Sequence, residues 1–401
     1  MRVAGLVVEY NPFHNGHLYH LQETRKKILP DLVIAVMSGN FLQRGEPALL
    51  SKWRRAKLAL EAGIDIIIEL PYAYATQRAQ IFAWGAVSLL DDLGVTDLCF
   101  GSENGDITPF YNTLTQVEKN RDTHDQNLKH FLSQGYSYPK AESLAFKALG
   151  LNLEEAIDLA QPNNILGYHY IEAIGRLGGT MNGHTIKRSE SGYHDPELPQ
   201  SSIASATAIR KHLMKKSGDW EAVSQYVPTY TTHALIEATK NNELRSWEDY
   251  FPLLKYRLVT DPADCLRDIY EAEEGLENRM KRYIGEATSF ASFMTLLKTK
   301  RYTWTRLQRL LTHTLTHTTK EEMWAAANLQ RPDYFRLLGM SKKGQAYLNQ
   351  IKADLRIPMI SRLGNEKNLP PSLQRDLIAA RCYQLVPTSE ADDHHQTPLR
   401  I

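Results

Sequence analysis

The residues best placed to do chemistry stand near the start of the chain, in Val7-Val8-Glu9-Tyr10-Asn11-Pro12-Phe13-His14-Asn15-Gly16-His17-Leu18-Tyr19-His20. Two imidazoles three residues apart, His14 and His17, can both donate to one polyphosphate, and Gly16 between them lets a nucleotide come close to the backbone. The surrounding pattern says where they sit. Val3–Val8 is a short apolar run of the kind that fills a buried parallel strand, and Asn11-Pro12 ends it. From His17 the apolar residues Leu18, Leu21, Ile28 and Leu29 recur with helical spacing, with Arg25, Lys26 and Lys27 in the last turn. Strand, turn and helix put both imidazoles at a helix N-terminus, where free N–H groups and the dipole favour anions. The pattern predicts a phosphate site, with His14 and His17 as its catalytic residues. A competing metal site of His14, His17 and His20 lacks the fourth ligand of a closed zinc centre, and no cysteine is near.

The elements that must hold this turn follow in order. Residues 31–37 read as a second buried strand, 38–47 as a loop and 52–62 as a helix capped by Ser51. A third strand over 64–70 stops at Pro71, a helix covers about 80–93, and a strand over 97–100 runs into Gly101-Ser102-Glu103. Buried strands alternating with amphipathic helices predict an α/β, doubly wound parallel sheet with its ligand at the carboxyl ends of the strands. The stretches 10–17, 38–47, 71–78 and 101–106 would gather on that rim. Residues 108–176 read as helices. Within them Asn163 and Asn164 stand at a helix start, either as caps or reaching a base or ribose. A short strand near 184–188 delivers Lys187 and Arg188 to its end, where cations can meet phosphate. The helix opening at 203–210, with Ser205, Thr207 and Arg210, is either a second anion cradle or an ordinary capped helix.

From residue 228 the pattern is helical, over 231–240, 247–260, 263–284, 289–297, 303–315 and 344–354, with no further buried strand expected. Within 279–309, Arg279, Lys281, Arg282, Lys298, Lys300, Arg301, Arg306 and Arg309 face Glu286 alone, with Tyr283, Phe290, Phe293, Tyr302 and Trp304 interleaved. A basic groove with aromatics suits RNA, and a solvated face over a core that keeps the rings is the competing reading. His313 and His317 read as a surface pair without a third metal ligand, and 386–401 as a frayed tail.

The 401 residues allow two or three domains, and the net charge of +1 means that attraction to nucleic acid must come from a local patch. The 42% hydrophobic and 23% charged composition is that of a globular chain. Cys99, Cys265 and Cys382 are far apart, which points to free thiols in a reducing cytosol. The first residues lack a signal-peptide pattern and no apolar stretch approaches a bilayer span, so a cytoplasmic location is expected.

The HxGH pattern of His14 to His17 resembles the nucleotidylyltransferase superfamily. The longer NPFHNGH motif (11–17), with MSGNFLQRGEP (37–47), IELP (68–71), FGSE (100–103), PNNILG (162–167) and SATAIR (205–210), resembles the bacterial tRNA(Met) cytidine acetate ligases. The likeness covers most of residues 1–215 and extends more loosely to Lys300-Arg301-Tyr302. It implies a Rossmann-like ATP-binding catalytic domain over 1–227 and a mainly helical tRNA-binding domain over 228–401. It further implies that the chain joins ATP and acetate into acetyl-adenylate, and then acetylates the wobble cytidine of elongator tRNA(Met) to N4-acetylcytidine. By the same resemblance the nucleotide is held by residues 7–20, Gly101, an asparagine of the PNN element (Asn163 or Asn164) and Arg188. Ala204 and Ala206 depart from the superfamily's second motif and leave fewer hydroxyls for phosphate.

The chemistry agrees with that route. Acetate is ionised at neutral pH, so its attack on the α-phosphorus needs alignment and charge relief but no general base. Mg²⁺ is expected with ATP, although no metal cage is recognisable. No obligate protein partner is implied. Two other functions use the same first half: a small-molecule adenylyltransferase of cofactor biosynthesis, and an RNA-binding protein with a vestigial nucleotide fold.

Overall fold

The computed structural model describes residues 1–150, 156–188, 203–214, 220–327, 331–364 and 369–401. One sheet organises them, built from β1 (Val3–Val8), β2 (Leu32–Ser38), β3 (Ile66–Leu70), β4 (Asp97–Ser102), β5 (Asn182–Lys187), β6 (Phe335–Met340), β7 (Met359–Ile360) and β8 (Leu399–Arg400). The order is β5-β4-β1-β2-β3-β6-β7, with β8 beside β6. The first five strands are parallel, and β6 is antiparallel to β3.

The central strands β1 and β2 are almost wholly apolar because both faces are covered. Ile34, Val36, Ile66 and Ile68 share one core with Phe82, Ala86 and Leu90 of the helix Ala79–Asp92. Their neighbours Val33, Ala35, Met37 and Ile67 share a second core with the helices Asn15–Ile28 and Lys52–Glu61. The chain lays down β1, β2 and β3 in one direction, then crosses back to place β4 and β5 on the other side of β1. The crevice between the carboxyl ends of β1 and β4 is therefore the topological switch point, where α/β sheets bind ligands.

Residues beyond 227 are mainly helical, as expected, but they also contribute β6, β7 and β8 to this sheet. The strand-free reading fails at Tyr334-Phe335-Arg336-Leu337-Leu338, where Arg336 interrupts the apolar run and yet is buried. Its guanidinium pairs with Asp393 and lies 5.3 Å from the Trp53 ring. Asp393 also accepts from Lys52 Nζ at 3.0 Å and Trp53 Nε1 at 2.7 Å. The tail is thus fastened: Asp393 is buried, and Leu399–Arg400 pairs with β6. Charge pairing, which hydropathy does not display, overrides its polar composition. The helix expected over 263–284 is likewise two helices, Ala263–Arg267 and Leu276–Ile284, parted by a turn in which Glu271, Glu274 and Gly275 take positive φ.

Removing one member of a buried ion cluster strands its partners, at a cost of about 3–5 kcal/mol. Asp393→Ala is expected to lower the denaturant midpoint accordingly, as is deletion of the last twelve residues. A frayed tail would tolerate both changes.

Candidate active site

The turn after β1 forms a helix start capped by imidazoles. His14 is the N-cap of Asn15–Ile28, and its Nδ1 accepts from the Gly16 N–H at 3.0 Å. His17 Nδ1 accepts from the His14 N–H at 3.3 Å, and the two rings stack with centroids 3.7 Å apart. A ring nitrogen that accepts an N–H carries no proton, so each neutral imidazole bears its proton on Nε2. Burial, reinforced by the positive Arg188 and Arg210, pushes the His14 imidazole down to about 3. Burial, His14 and Arg188 hold His17 well below its ordinary value, and burial with Arg188 takes His20 down to about 4. At neutral pH the pair is thus uncharged and offers Nε2–H donors.

Gly16 has a steric reason to be glycine. A Cβ there would lie 2.9 Å from His14 Cε1 and 3.0 Å from its Nδ1.

These rings line a cavity of 1090 Å³ at the switch point. Of the segment 7–20, the residues Val7, Val8, Glu9, Tyr10, Asn11, His14, Gly16, His17, Tyr19 and His20 reach it. Pro12, Phe13, Asn15 and Leu18 do not. Phe13 is fully buried against Tyr10, and Asn15 Nδ2 donates to Gln225 O at 2.9 Å, fastening the turn to the 225–226 backbone. Gly101 and Arg188 line the cavity together, the glycine lying beneath the arginine side chain. Asn163 lines it too, whereas Asn164 is buried and turned towards Asp158 O. Neither asparagine side chain caps its helix, because the Glu103 carboxylate takes both backbone N–H groups. Ser205 Oγ caps Ala208 N at 3.0 Å, and Ser205, Thr207 and Arg210 all face the cavity. Arg210 is braced by Asn11 O at 2.8 Å and Glu46 at 3.3 Å.

The opposite wall comes from Tyr270, Glu271, Glu273, Glu274, Arg301, Thr303, Trp304, Thr305, Arg306 and Arg309. Here the sequence reading needs correction. Arg301, Arg306 and Arg309 form ion pairs with Glu274, Glu273 and Glu271, carboxylates that lie just before the stretch counted as basic. Arg279 and Lys281 cap other helices, donating to Leu296 O and Leu297 O and to Val259 O and Asp261 O. Phe290, Phe293 and Tyr302 belong to the core, while Trp304 is exposed on the cavity wall. Arg282, Lys298 and Lys300 remain exposed. His313 is not on the surface: it is fully buried, its Nδ1 sits 2.9 Å from the Tyr72 hydroxyl, and burial pushes it down to about 3. Sequence reasoning placed 71–78 and 101–106 on the rim without naming Arg78 or Glu103 as site residues, and it missed the Glu271–Glu274 turn. The first two follow strands and could have been found by that position, whereas the turn has no local signal. Among the described residues, no three His, Cys, Asp or Glu side chains gather as a metal site. Nor is any helix among them long and apolar enough to cross a membrane.

Against known proteins, the family model described as HIGH nucleotidyl transferase matches residues 1–397. The chain is 50% identical to the tRNA(Met) cytidine acetate ligase of Halalkalibacterium halodurans over 410 residues, covering 100% of this chain and 98% of that one. It is 48% identical to the enzyme of that name from Bacillus subtilis over 388 residues, covering 96% and 92%. Crystal structures of Thermotoga maritima TmcAL, at 33% identity and full coverage of both chains, superpose with TM-scores of 0.92 for the apo form and 0.89 with alpha-thio ATP bound.

Two measurements probe the imidazoles. Gly16→Ala should displace the His14 ring and weaken ATP binding about tenfold or more, equivalent to about 1.4 kcal/mol, with little loss of thermal stability. Unfolding frees His14, His20 and His313 to bind protons, so the unfolded chain holds more of them between pH 6.5 and about 4. Stability should therefore fall as pH drops through that window, by up to about 1.4 kcal/mol per pH unit for each ring. His313→Gln, outside the cavity, should make the decline shallower in denaturation curves taken at pH 5 and 7.

Proposed function

The chain belongs to the HIGH nucleotidyl transferase family and, within it, to the tRNA(Met) cytidine acetate ligases, and from that premise we propose that it activates acetate with ATP and acetylates the wobble cytidine of elongator tRNA(Met) to N4-acetylcytidine in the cytoplasm. The observation that carries this reading is the shared cavity, in which the His14–His17 turn and the Arg301–Arg309 wall face one space. At 1090 Å³ it lies at the upper end of small-molecule sites, with room for a nucleotide and a second group.

In the first step an acetate oxygen attacks the α-phosphorus, the bond to the bridging oxygen of the β-phosphate breaks, and pyrophosphate leaves. The neutral imidazoles act there as fixed donors, Nε2–H of His14 and His17, and not as proton-transfer acids. Arg188 adds charge relief, and Arg210, braced on the motif turn, keeps that turn against the helix start at Ser205. Mg²⁺ enters with the nucleotide as part of the substrate. In the second step the cytosine amine attacks the acetyl carbon, AMP departs and the amine loses a proton. No thiol is needed: burial pushes the Cys99 and Cys382 thiols up to about 11.

Residues 1–227 carry the nucleotide chemistry, and 228–401 carry tRNA recognition while closing the sheet. Arg282, Lys298 and Lys300 meet phosphates first, and Trp304 offers an aromatic face for a base. Arg301, Arg306 and Arg309 join them only if RNA displaces Glu274, Glu273 and Glu271.

Nucleoside mass spectrometry of tRNA from cells lacking this chain should show loss of N4-acetylcytidine, regained on complementation. Incubation of the purified chain should yield AMP only with acetate and tRNA together; a stable dinucleotide would instead mark a cofactor adenylyltransferase. Lys300→Glu with Arg301→Glu should weaken tRNA binding at least about tenfold with ATP affinity unchanged. Glu273→Gln with Glu274→Gln should tighten it and steepen its salt dependence by about one unit for each cation released.

A further inference from the structure

Glu103 follows β4 and reaches the start of the helix Pro162–Arg176. Pro162 has no N–H and Gln161 supplies no side-chain cap, so the donors that need a partner are the backbone N–H groups of Asn163 and Asn164. Both go to Glu103, at 3.1 Å to Oε1 and 2.9 Å to Oε2. Capping alone would account for that much. The same Oε1 also accepts from Asn163 Nδ2 at 2.6 Å, a contact that no cap requires.

A carboxylate taking three N–H donors has only acceptor atoms to offer. The Asn163 amide must therefore present its NH₂ to Glu103 and turn its carbonyl oxygen the other way, which removes the flip ambiguity that side-chain amides ordinarily have. Asn163 lines the same cavity as the imidazoles and Arg188, so it brings an acceptor to a cavity whose imidazole turn and Arg188 offer donors. An acceptor repels phosphate. It fits a hydrogen-bond donor, and the nucleoside half of ATP has two kinds: the exocyclic amine of adenine and the ribose hydroxyls.

We propose that Glu103 is a positioning residue for nucleoside recognition, locking Asn163 so that its Oδ1 accepts from a donor on the adenosine part of the nucleotide. The inference rests on the reading of this cavity as the ATP site. Glu103 acts through Asn163 and touches no substrate itself. Its loss should therefore change which nucleotides are accepted as well as how tightly they bind, because a glutamine in its place presents an NH₂ of its own and lets the Asn163 amide turn over.

The test is a set of Kd and KM values for ATP, inosine triphosphate, 2′-deoxy-ATP and 3′-deoxy-ATP with the full-length wild type, Glu103→Gln, Asn163→Ala and His17→Ala. A role in capping alone would weaken every nucleotide by one common factor. The expected result is a roughly tenfold collapse of a preference: that for ATP over inosine triphosphate if the amine is read, or over one deoxy analogue if a hydroxyl is read. Asn163→Ala keeps both backbone donors and hence the cap, so it should show the same collapse even where Glu103→Gln folds poorly. Preferences unchanged within about twofold in both variants, with ATP binding lost in His17→Ala, would overturn this inference and leave the ATP site standing. Unchanged ATP binding in His17→Ala would overturn the site itself.

Discussion

The structure depends on how one helix start is satisfied. The first turn of a helix exposes N–H groups that must find acceptors, and the usual suppliers are hydroxyl, amide or carboxylate side chains. Here two imidazoles do that work: Nδ1 of His14 takes the Gly16 N–H and Nδ1 of His17 takes the His14 N–H. Because the accepting nitrogens are occupied, the tautomer is settled by the backbone. Local folding thus uses the Nδ1 edge of each ring and leaves the Nε2–H edge as a donor, the one the proposed reaction uses. A carboxylate cap would have satisfied the helix and repelled a triphosphate. A hydroxyl would have satisfied it and left nothing facing outward.

A second constraint keeps the two walls of the cavity in register. The loop after β2 is gripped from the sheet side by Arg55, fully buried, whose guanidinium donates to Leu50 O, Glu9 O, Ser38 O and Gly39 O. From the other side Trp247 Nε1 and Thr312 Oγ1 both donate to Gly45 O, at 2.8 and 2.9 Å. Gly45 sits at φ 75°, and a Cβ there would lie 2.4 Å from Arg309 N. The glycine is what lets the helix Trp304–Leu315 approach the loop that borders the nucleotide side. The tail completes the fastening through Asp393, Lys52 and Arg336, so the helical half cannot drift from the sheet without exposing buried charge.

These facts explain what the sequence reveals and what it hides. Strands over Val3–Val8 and Leu32–Ser38 are legible because burial on both faces writes an unbroken apolar run. The cavity-lining residues of 7–20, Gly101 and Arg188 are legible because they lie at or follow the ends of strands. Arg336 in β6 and Asp393 in the tail are not, since each reads as exposed until its partner, 57 residues away, is known. The basic stretch 279–309 misleads for the same reason, its answering carboxylates at Glu271, Glu273 and Glu274 lying outside the stretch. Pairing between distant residues leaves no trace in local composition. It decided the tail, the last strands and the net charge of the cavity wall.

The electrostatics of the cavity then fit a reaction in which charge is passed along and not accumulated. With His14 and His17 neutral and Arg301, Arg306 and Arg309 answered by carboxylates, neither the imidazole turn nor that arginine wall brings unanswered charge to the apo cavity. An ATP that enters finds donors on one wall. On the proposed reading, an RNA that enters meets cations on the other, released to it in proportion to the carboxylates it displaces. Charged imidazoles at the turn would hold pyrophosphate and AMP more firmly and slow their departure after each step. Fixed neutral donors favour the triphosphate mainly through alignment, which is lost once the phosphates part. A cavity of this kind holds a reactive adenylate between its formation and its transfer without charging either partner a large cost for leaving.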